Sequence, residues 1–223
     1  KNRNILLKIF YDFPKAKARD FFLINPDSMG IHGLYIFCGE QGSGKTIASV
    51  HFLRMMKAKY PMIKTRSNIT ISFQDGIITH WKDLINVHNG NIGQIDFLDE
   101  IQNWFSSNES KNFPPEMLQE ITQERKKHKV IVGTTQVFTR MGKPLREQTT
   151  YICMPTTILG CFTIVPIFKP ILDDSGVLIK KRFQKVYCFV HDDDLRNSYN
   201  TYERVERLAK DGFQPASERS YNK

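Results

Sequence analysis

Short apolar runs, separated by polar and turn-forming residues, make up most of the chain. Residues 33–38 (GLYIFC) predict a short strand that is buried on both faces, because such strands are continuously apolar. Residues 46–60 predict a helix that ends before Pro61. Further strands are predicted at 62–69, 92–101 and 130–136. Strands that alternate with helices predict an α/β fold with a mainly parallel central sheet flanked by helices.

The region from Gln148 to Phe168 contains no charged side chain and is long enough to cross a bilayer as a helix. Pro155, Pro166 and several threonines favour strands and turns instead. Residues 178–190 alternate apolar with basic positions over part of their length, as a half-exposed strand does. We therefore expect strands here and no membrane-spanning helix.

Composition and charge indicate what kind of domain the chain forms and what kind of partner it binds. A chain of 223 residues with 40% hydrophobic residues can form one principal domain with a sizeable core. A formal net charge of +9 favours a polyanionic partner, because lysines and arginines that neutralise phosphates release condensed counterions. The alternative is a charged surface that serves solubility alone.

The cysteines and histidines do not indicate a metal site. The four cysteines form no C-x-x-C pair, and the six histidines have no H-E-x-x-H spacing. We expect the cysteines to be buried thiols of a reducing compartment.

Residues 39–46 (GEQGSGKT) stand between the predicted strand at 33–38 and the helix that follows. Their spacing is that of a phosphate-binding loop, in which backbone N–H groups surround phosphate oxygens, a lysine reaches the β- and γ-phosphates and a threonine hydroxyl binds Mg²⁺. The N-terminus of the next helix adds free N–H groups and a positive dipole end. The sequence therefore predicts ATP and Mg²⁺ as cofactors, and a glycine-rich turn without a ligand is the alternative. The predicted contacts are Gly39, Glu40, Gln41, Gly42, Ser43, Gly44, Lys45 and Thr46, of which Thr46 also binds the metal.

Two carboxylates, Asp99 and Glu100, follow the apolar run near residue 98. Acidic residues at the end of a buried strand are expected of a Walker B element. We predict that Asp99 holds Mg²⁺, directly or through water, and that Glu100 is the catalytic residue that polarises the attacking water.

Four further residues are candidates with open alternatives. Arg125 lies at the basic end of a helix predicted from Pro114, where it either complements the helix dipole in solvent or acts as an arginine finger in a neighbouring subunit's ATP site. Arg146 lies in a loop and short helix suited to DNA phosphates, to a subunit contact or to solvent alone. Thr135 and Gln136, at the end of a strand, either contact the γ-phosphate of the nucleotide or form a turn.

The order of these elements resembles the additional-strand, catalytic-glutamate P-loop ATPases of the FtsK/HerA-like group. It is most similar to Zot-type phage morphogenesis ATPases and small-podovirus packaging ATPases. The resemblance covers most of residues 31–205. It depends on residues 39–46, Asp99 with Glu100, the region of Arg125, the strand at 130–136 and YNTY at 199–202.

The resemblance implies a ring of identical subunits that couples ATP hydrolysis to DNA movement, with each site completed by the neighbour's arginine. Arg125 is the first candidate for that catalytic arginine and Arg146 the second. Two departures from the resemblance bear on function. Residues 1–30 form an additional N-terminal extension, and residues 206–223, expected to be a linker, supply no membrane span of the kind that Zot-type proteins usually carry.

The leading hypothesis is a translocase of double-stranded DNA that packages a phage genome in the host cytoplasm and docks on a portal or capsid component. The alternative is a membrane-associated Zot-type ATPase for assembly and extrusion of filamentous phage at the cytoplasmic face of the inner membrane. A third hypothesis is a nucleotide-dependent binding module that does not turn over.

Overall fold

A computed structural model describes residues 4–23, 28–108, 113–123 and 128–200, with side chains from 20 to 23 left undescribed. The strands are β1 (Gly33–Cys38), β2 (Lys64–Ser67), β3 (Thr70–Ile71), β4 (Gly76–Ile77), β5 (Gln94–Leu98), β6 (Lys129–Thr135), β7 (Thr149–Cys153), β8 (Thr156–Ile158), β9 (Phe162–Leu172), β10 (Leu178–Val190) and β11 (Tyr199–Asn200). The α-helices are α1 (Ile5–Leu7), α2 (Phe13–Leu23), α3 (Lys45–Lys59), α4 (Asp83–Asn86), α5 (Pro115–Thr122), α6 (Lys143–Gln148) and α7 (Asp193–Asn197). A π-helical turn joins α1 to α2.

A nine-stranded sheet has the order β10-β9-β7-β1-β6-β5-β2-β4, with β8 paired to β9. The strands from β7 to β4 in this order are parallel, whereas β8, β9 and β10 form an antiparallel extension at one side. The predicted fold class, an α/β fold with a mainly parallel central sheet flanked by helices, is therefore confirmed.

Strand β6 lies between β1, which leads into the phosphate-binding loop, and β5, which leads into Asp99 and Glu100. This inserted strand is the additional strand that the resemblance implies. Because parallel strands end at the same edge of a sheet, β1, β5 and β6 bring the loop and the acidic pair together.

The parallel strands are buried on both faces. Along β1, Tyr35 and Phe37 pack with α3 into one core, while Leu34 and Ile36 pack with α5, α6 and the turn after β5 into a second core. Helices on both sides of a parallel sheet explain why these strands are continuously apolar in sequence.

A buried ion network joins three parallel strands to a helix. The Arg66 guanidinium donates from Nε and Nη2 to the two carboxylate oxygens of Asp96, each at 2.8 Å. The Lys129 ammonium lies 3.2 Å from Asp96 Oδ2 and 3.1 Å from Glu120 Oε1. All four side chains are at most 7% exposed, and their formal charges cancel. The network ties β2, β5, β6 and α5 together.

The uncharged region at 148–168 forms β7, β8 and most of β9, as predicted, and residues 178–190 form β10. No helix within the described residues is long and apolar enough to span a membrane. The prediction of buried cysteines is confirmed for Cys153 and wrong for Cys161 and Cys188, which are exposed, while Cys38 is half-buried. Cys161 lies in the turn between β8 and β9, and Cys188 lies on the face of β10 that also exposes Val186 and Val190.

The predicted N-terminal extension is helical through residues 5–23. The predicted linker at 206–223 and most of YNTY at 199–202 lie outside the described residues.

Candidate nucleotide site

The phosphate-binding loop joins β1 directly to α3. Gly42 and Gly44 have φ angles of 81° and 89°, in the left-handed region that side chains with a Cβ rarely adopt. The loop closes on itself through a hydrogen bond of 3.2 Å from the Ser43 amide to the Glu40 carbonyl. Helix α3 starts at Lys45, so its first free N–H groups lie at the loop.

The Lys45 ammonium folds back over this loop and donates to the Glu40 carbonyl at 2.8 Å. Burial of the amine lowers its pKa from the usual value, while Asp99, Cys38 and Glu100 act in the opposite direction. The side chain is held at the loop, where it can exchange the carbonyl for a phosphate oxygen.

Thr46 and Asp99, the two predicted Mg²⁺ ligands, are in contact. The Thr46 hydroxyl donates to Asp99 Oδ1 at 3.2 Å, and the Thr134 hydroxyl donates to the same oxygen at 2.7 Å. A hydroxyl beside a carboxylate is a set of hard oxygen ligands that suits Mg²⁺. Within the described part of the chain, no group of three His, Cys, Asp or Glu side chains could hold a metal by itself. The residues therefore fit an Mg²⁺ ion that a bound nucleotide shares.

Glu100 adopts a left-handed backbone conformation with φ of 51°, which for a residue other than glycine costs about 1–3 kcal/mol. Contacts of its backbone and of its side chain hold it there. Its amide donates to the Thr134 hydroxyl at 2.7 Å, and its carboxylate oxygen Oε2 accepts from the Asn103 amide at 3.0 Å. Strain of this kind is found where a side chain must be aimed at a site.

Asn68, at the end of β2, fixes the backbone of the acidic pair. Its Oδ1 accepts from the Asp99 amide at 2.7 Å, and its Nδ2 donates to the Asp99 carbonyl at 3.0 Å. The sequence analysis missed Asn68 and Thr134. Both residues are polar and lie at the ends of the strands that flank β5. That position is the sequence signal that could have identified them.

A third missed residue is Thr157, which comes from β8 of the antiparallel extension. Its hydroxyl donates to the Ser43 carbonyl at 3.3 Å and lies where a Cβ on Gly44 would clash with it. It also hydrogen-bonds at 2.7 Å to the Thr163 hydroxyl, which lies 2.7 Å from His191 Nε2. The extension therefore supports the phosphate-binding loop from the side.

The structure places the remaining candidates as follows. Thr135 turns its hydroxyl to the Val137 carbonyl, so the hydroxyl that contacts Asp99 belongs to Thr134 instead. Gln136 is half-buried directly after β6, and its nucleotide contact stays a prediction. Arg146 donates to the Thr139 and Met141 carbonyls of its own chain at 2.7 and 3.2 Å. Arg125 lies outside the described residues, and catalytic roles for both arginines stay predictions.

Comparisons with known proteins bear on the fold. No protein-family model and no curated protein matches the chain. Among solved structures, the N-terminal domain of zonular occludens toxin from Neisseria meningitidis matches with a TM-score of 0.52 and 17% identity, over 77% of this chain and 100% of that one. The genome packaging NTPase B204 from Sulfolobus turreted icosahedral virus 2, in complex with sulfate, matches with a TM-score of 0.45 and 12% identity, over 74% of this chain and 97% of that one. Only the first score is high enough to indicate a shared fold.

Proposed function

We propose that this protein is an Mg²⁺-dependent ATPase that moves double-stranded DNA. The observation that supports the proposal is that the loop at 39–46, the Thr46–Asp99 pair and Glu100 lie at one edge of the sheet. Each group has a distinct task in hydrolysis of the bond to the γ-phosphate.

The loop backbone and the first turn of α3 would bind the phosphates, and Lys45 would leave the Glu40 carbonyl to contact the β- and γ-phosphates. Thr46 and Asp99 would hold Mg²⁺, which when bound neutralises charge on the phosphate oxygens. Glu100 would accept a proton from the attacking water while Asn103 and Thr134 keep its carboxylate and backbone in place. Asn68 would hold the Asp99 backbone as the metal binds.

The ring and the trans-acting arginine are part of the same proposal. A subunit with Arg125→Ala should bind ATP and hydrolyse it about 10³- to 10⁵-fold more slowly, because developing charge on the γ-phosphate lacks its partner. Mixing it with Lys45→Ala subunits, which keep Arg125, should restore hydrolysis. If no mixing ratio restores it, Arg125 does not act in trans, and the same experiment with Arg146→Ala tests the second candidate.

Packaging of a phage genome in the host cytoplasm, with a portal or capsid component as docking partner, is the first biological setting that we propose. The net charge of +9 supports a polyanionic substrate. The second candidate is a membrane-associated Zot-type ATPase for filamentous phage, and the match to a complete zonular occludens toxin domain favours it. The two candidates share the ATPase chemistry and differ in where the subunits assemble.

The decisive experiment measures phosphate release with Mg-ATP, with and without duplex DNA, together with the oligomeric mass. We expect hydrolysis that DNA stimulates, in a multimer, and none from Lys45→Ala, which has lost the charge at the phosphates. Hydrolysis retained by Lys45→Ala would contradict the phosphate-loop assignment. Nucleotide binding without phosphate release would support the non-hydrolysing binding module.

A second measurement separates the two settings. Flotation with phospholipid vesicles should leave a packaging ATPase in the protein fraction and carry a membrane-associated assembly ATPase to the lipid.

A further inference from the structure

The hairpin formed by β9 and β10 carries four cations on one face. In its register Arg182 lies opposite Lys169, Lys180 opposite Ile171, and Lys185 opposite Ile167. Because side chains alternate between the two faces of a strand, these cations lie on the same face as Val165 and Phe189.

At the end of the hairpin away from its connecting turn, this face packs on α3, where His51 stacks on Phe189 with ring centroids 3.9 Å apart. Farther out, the cations Lys169, Lys180, Arg182 and Lys185 are exposed.

These four side chains, the hairpin cations, have no anionic partner among the described residues. Neither strand contains an acidic residue, and none of the hairpin cations forms an ion pair within the described ranges. In the connecting turn, the Asp173 carboxylate accepts from Ser175 and Val177. The Asp173 carboxylate is therefore engaged in the turn itself.

The placement of Arg182 directly opposite Lys169 is unfavourable within the isolated chain. Like charges on opposed residues of an antiparallel pair destabilise the pair. The cost disappears when an anion lies across both side chains. Cations two positions apart on one strand are separated by about 7 Å along it, so the face presents a row of positive charge rather than a single site.

The opposite face of the hairpin distinguishes between a nucleic acid and a membrane. It exposes Phe183, Val186 and Val190, at 56%, 54% and 65%, and it carries one cation, Lys181, whose ammonium lies 5.6 Å from the centre of the Phe168 ring. A hairpin that inserted this apolar face into lipid would point the hairpin cations away from the lipid phosphates. A phosphate polymer that lies along the cationic face needs no contact with the apolar side chains.

We propose that the hairpin cations bind the phosphate backbone of duplex DNA and form the DNA contact of the motor. This inference rests on the proposed function, since it assigns a surface to the DNA that the ATPase would move. The contact is independent of base sequence, because lysine and arginine on phosphates carry no base readout. Since β8 and β9 also carry Thr157 and Thr163, the same extension touches the phosphate-binding loop.

The test measures affinity for duplex DNA against salt concentration, with a non-hydrolysable ATP analogue and Mg²⁺ present. The test variant combines Lys169→Gln, Lys180→Gln, Arg182→Gln and Lys185→Gln. We expect the slope of log affinity against log salt to become shallower by about 3 to 4, and binding to weaken equally for duplexes of different sequence. A charge-preserving variant, Lys169→Arg, Lys180→Arg, Arg182→Lys and Lys185→Arg, should keep the wild-type slope.

A matched control removes four exposed cations elsewhere. Lys8→Gln, Lys15→Gln, Lys17→Gln and Arg19→Gln change the N-terminal helices by the same total charge and should leave the slope unchanged. Thermal melting of every variant shows that it is folded. A slope that falls only in the control, or equally in both variants, would overturn the inference and leave the proposed function standing.

Two further outcomes also count against the inference. Wild-type protein that binds no duplex DNA would overturn it together with the proposed function. Loss of binding to vesicles of mixed phosphatidylcholine and phosphatidylserine, in the test variant alone and without loss of DNA affinity, would assign the hairpin to a membrane surface instead.

Discussion

The buried ion network and the hairpin cations use charge in opposite ways. In the network, Arg66 and Lys129 are enclosed and contact Asp96 and Glu120, so their charges cancel inside the fold. The hairpin cations are exposed, of one sign, and without an acidic contact in the described chain. Buried charges need partners within the molecule, whereas exposed charges are solvated by water and remain available to a partner outside it. The comparison separates a region whose charges hold elements of the fold together from one whose charges face solvent.

The largest expected effect concerns Glu100, at the end of β5, the strand that also carries Asp96 of the network. Glu100→Gln should lower the rate of ATP hydrolysis about 10²- to 10⁴-fold, because an amide cannot accept the proton of the attacking water. ATP and Mg²⁺ binding should persist, since Lys45, Thr46 and Asp99 are unchanged. Phosphate release and binding of a fluorescent ATP analogue check the two halves of this prediction. Normal hydrolysis by Glu100→Gln would show that another group is the base.

The next effect compares loss of one charge in each region. Asp96→Ala should lower the free energy of unfolding by about 3–5 kcal/mol, because two buried cations lose a partner. Arg182→Ala, in the exposed hairpin, should change it by at most about 0.5 kcal/mol. Urea denaturation of both variants gives the two values. Equal losses would mean that the hairpin charge is structural.

A pH effect is expected at His51 of α3, which stacks on Phe189 of the hairpin. Burial, then the nearby Arg54, lowers the pKa of His51 from 6.5 to about 4. Below pH 6.5 the unfolded chain binds a proton that the folded chain does not, so stability falls as the pH falls from 6.5 towards 4. The slope from one proton is at most about 1.4 kcal/mol per pH unit.

His51→Phe should keep the ring stack on Phe189 while it removes this pH dependence. The free energy of unfolding at pH 7 and pH 5, measured for both proteins, gives the difference. An unchanged pH dependence in His51→Phe would assign the effect to other groups.

The smallest effect concerns Thr157, through which the extension contacts the phosphate-binding loop. Thr157→Val keeps the shape but removes the hydrogen bond to the Ser43 carbonyl, a loss of about 0.5–1.5 kcal/mol. We expect affinity for ATP to weaken by up to about tenfold, because the loop is less well held. Thr157→Ser, which keeps the hydroxyl, is the control. If both variants bind ATP like the wild type, the contact does not position the loop.

The sequence predicted those features that are encoded over short distances. The bounds of β1 and β10 agree with the apolar run at 33–38 and with the half-exposed pattern at 178–190. The phosphate-binding loop and the Asp99–Glu100 pair were found because each has its signature within one strand and the loop that follows it.

The features that the sequence did not predict depend on distant parts of the chain. Thr157 contacts a loop residue 114 positions away, and Asn68 contacts Asp99 over 31 positions. The contact of Lys129 with Asp96 of β5 could not be predicted either, because in the sequence Asp96 is a single acid inside an apolar run. Register between strands decides such contacts, and no local pattern reports it.

Strand β10 ends the order of the described sheet, so one of its sides has backbone N–H and C=O groups without a neighbouring strand there. A long open edge of this kind invites another copy of the chain to pair with it, and lysine-rich edges oppose such pairing through charge repulsion. We therefore expect Lys180, Arg182 and Lys185 on β10 to oppose pairing between molecules in dilute salt. We expect high salt, or a polyanion that neutralises these charges, to weaken the repulsion and favour edge-to-edge association, so that the solubility of the protein would depend on what its hairpin has bound.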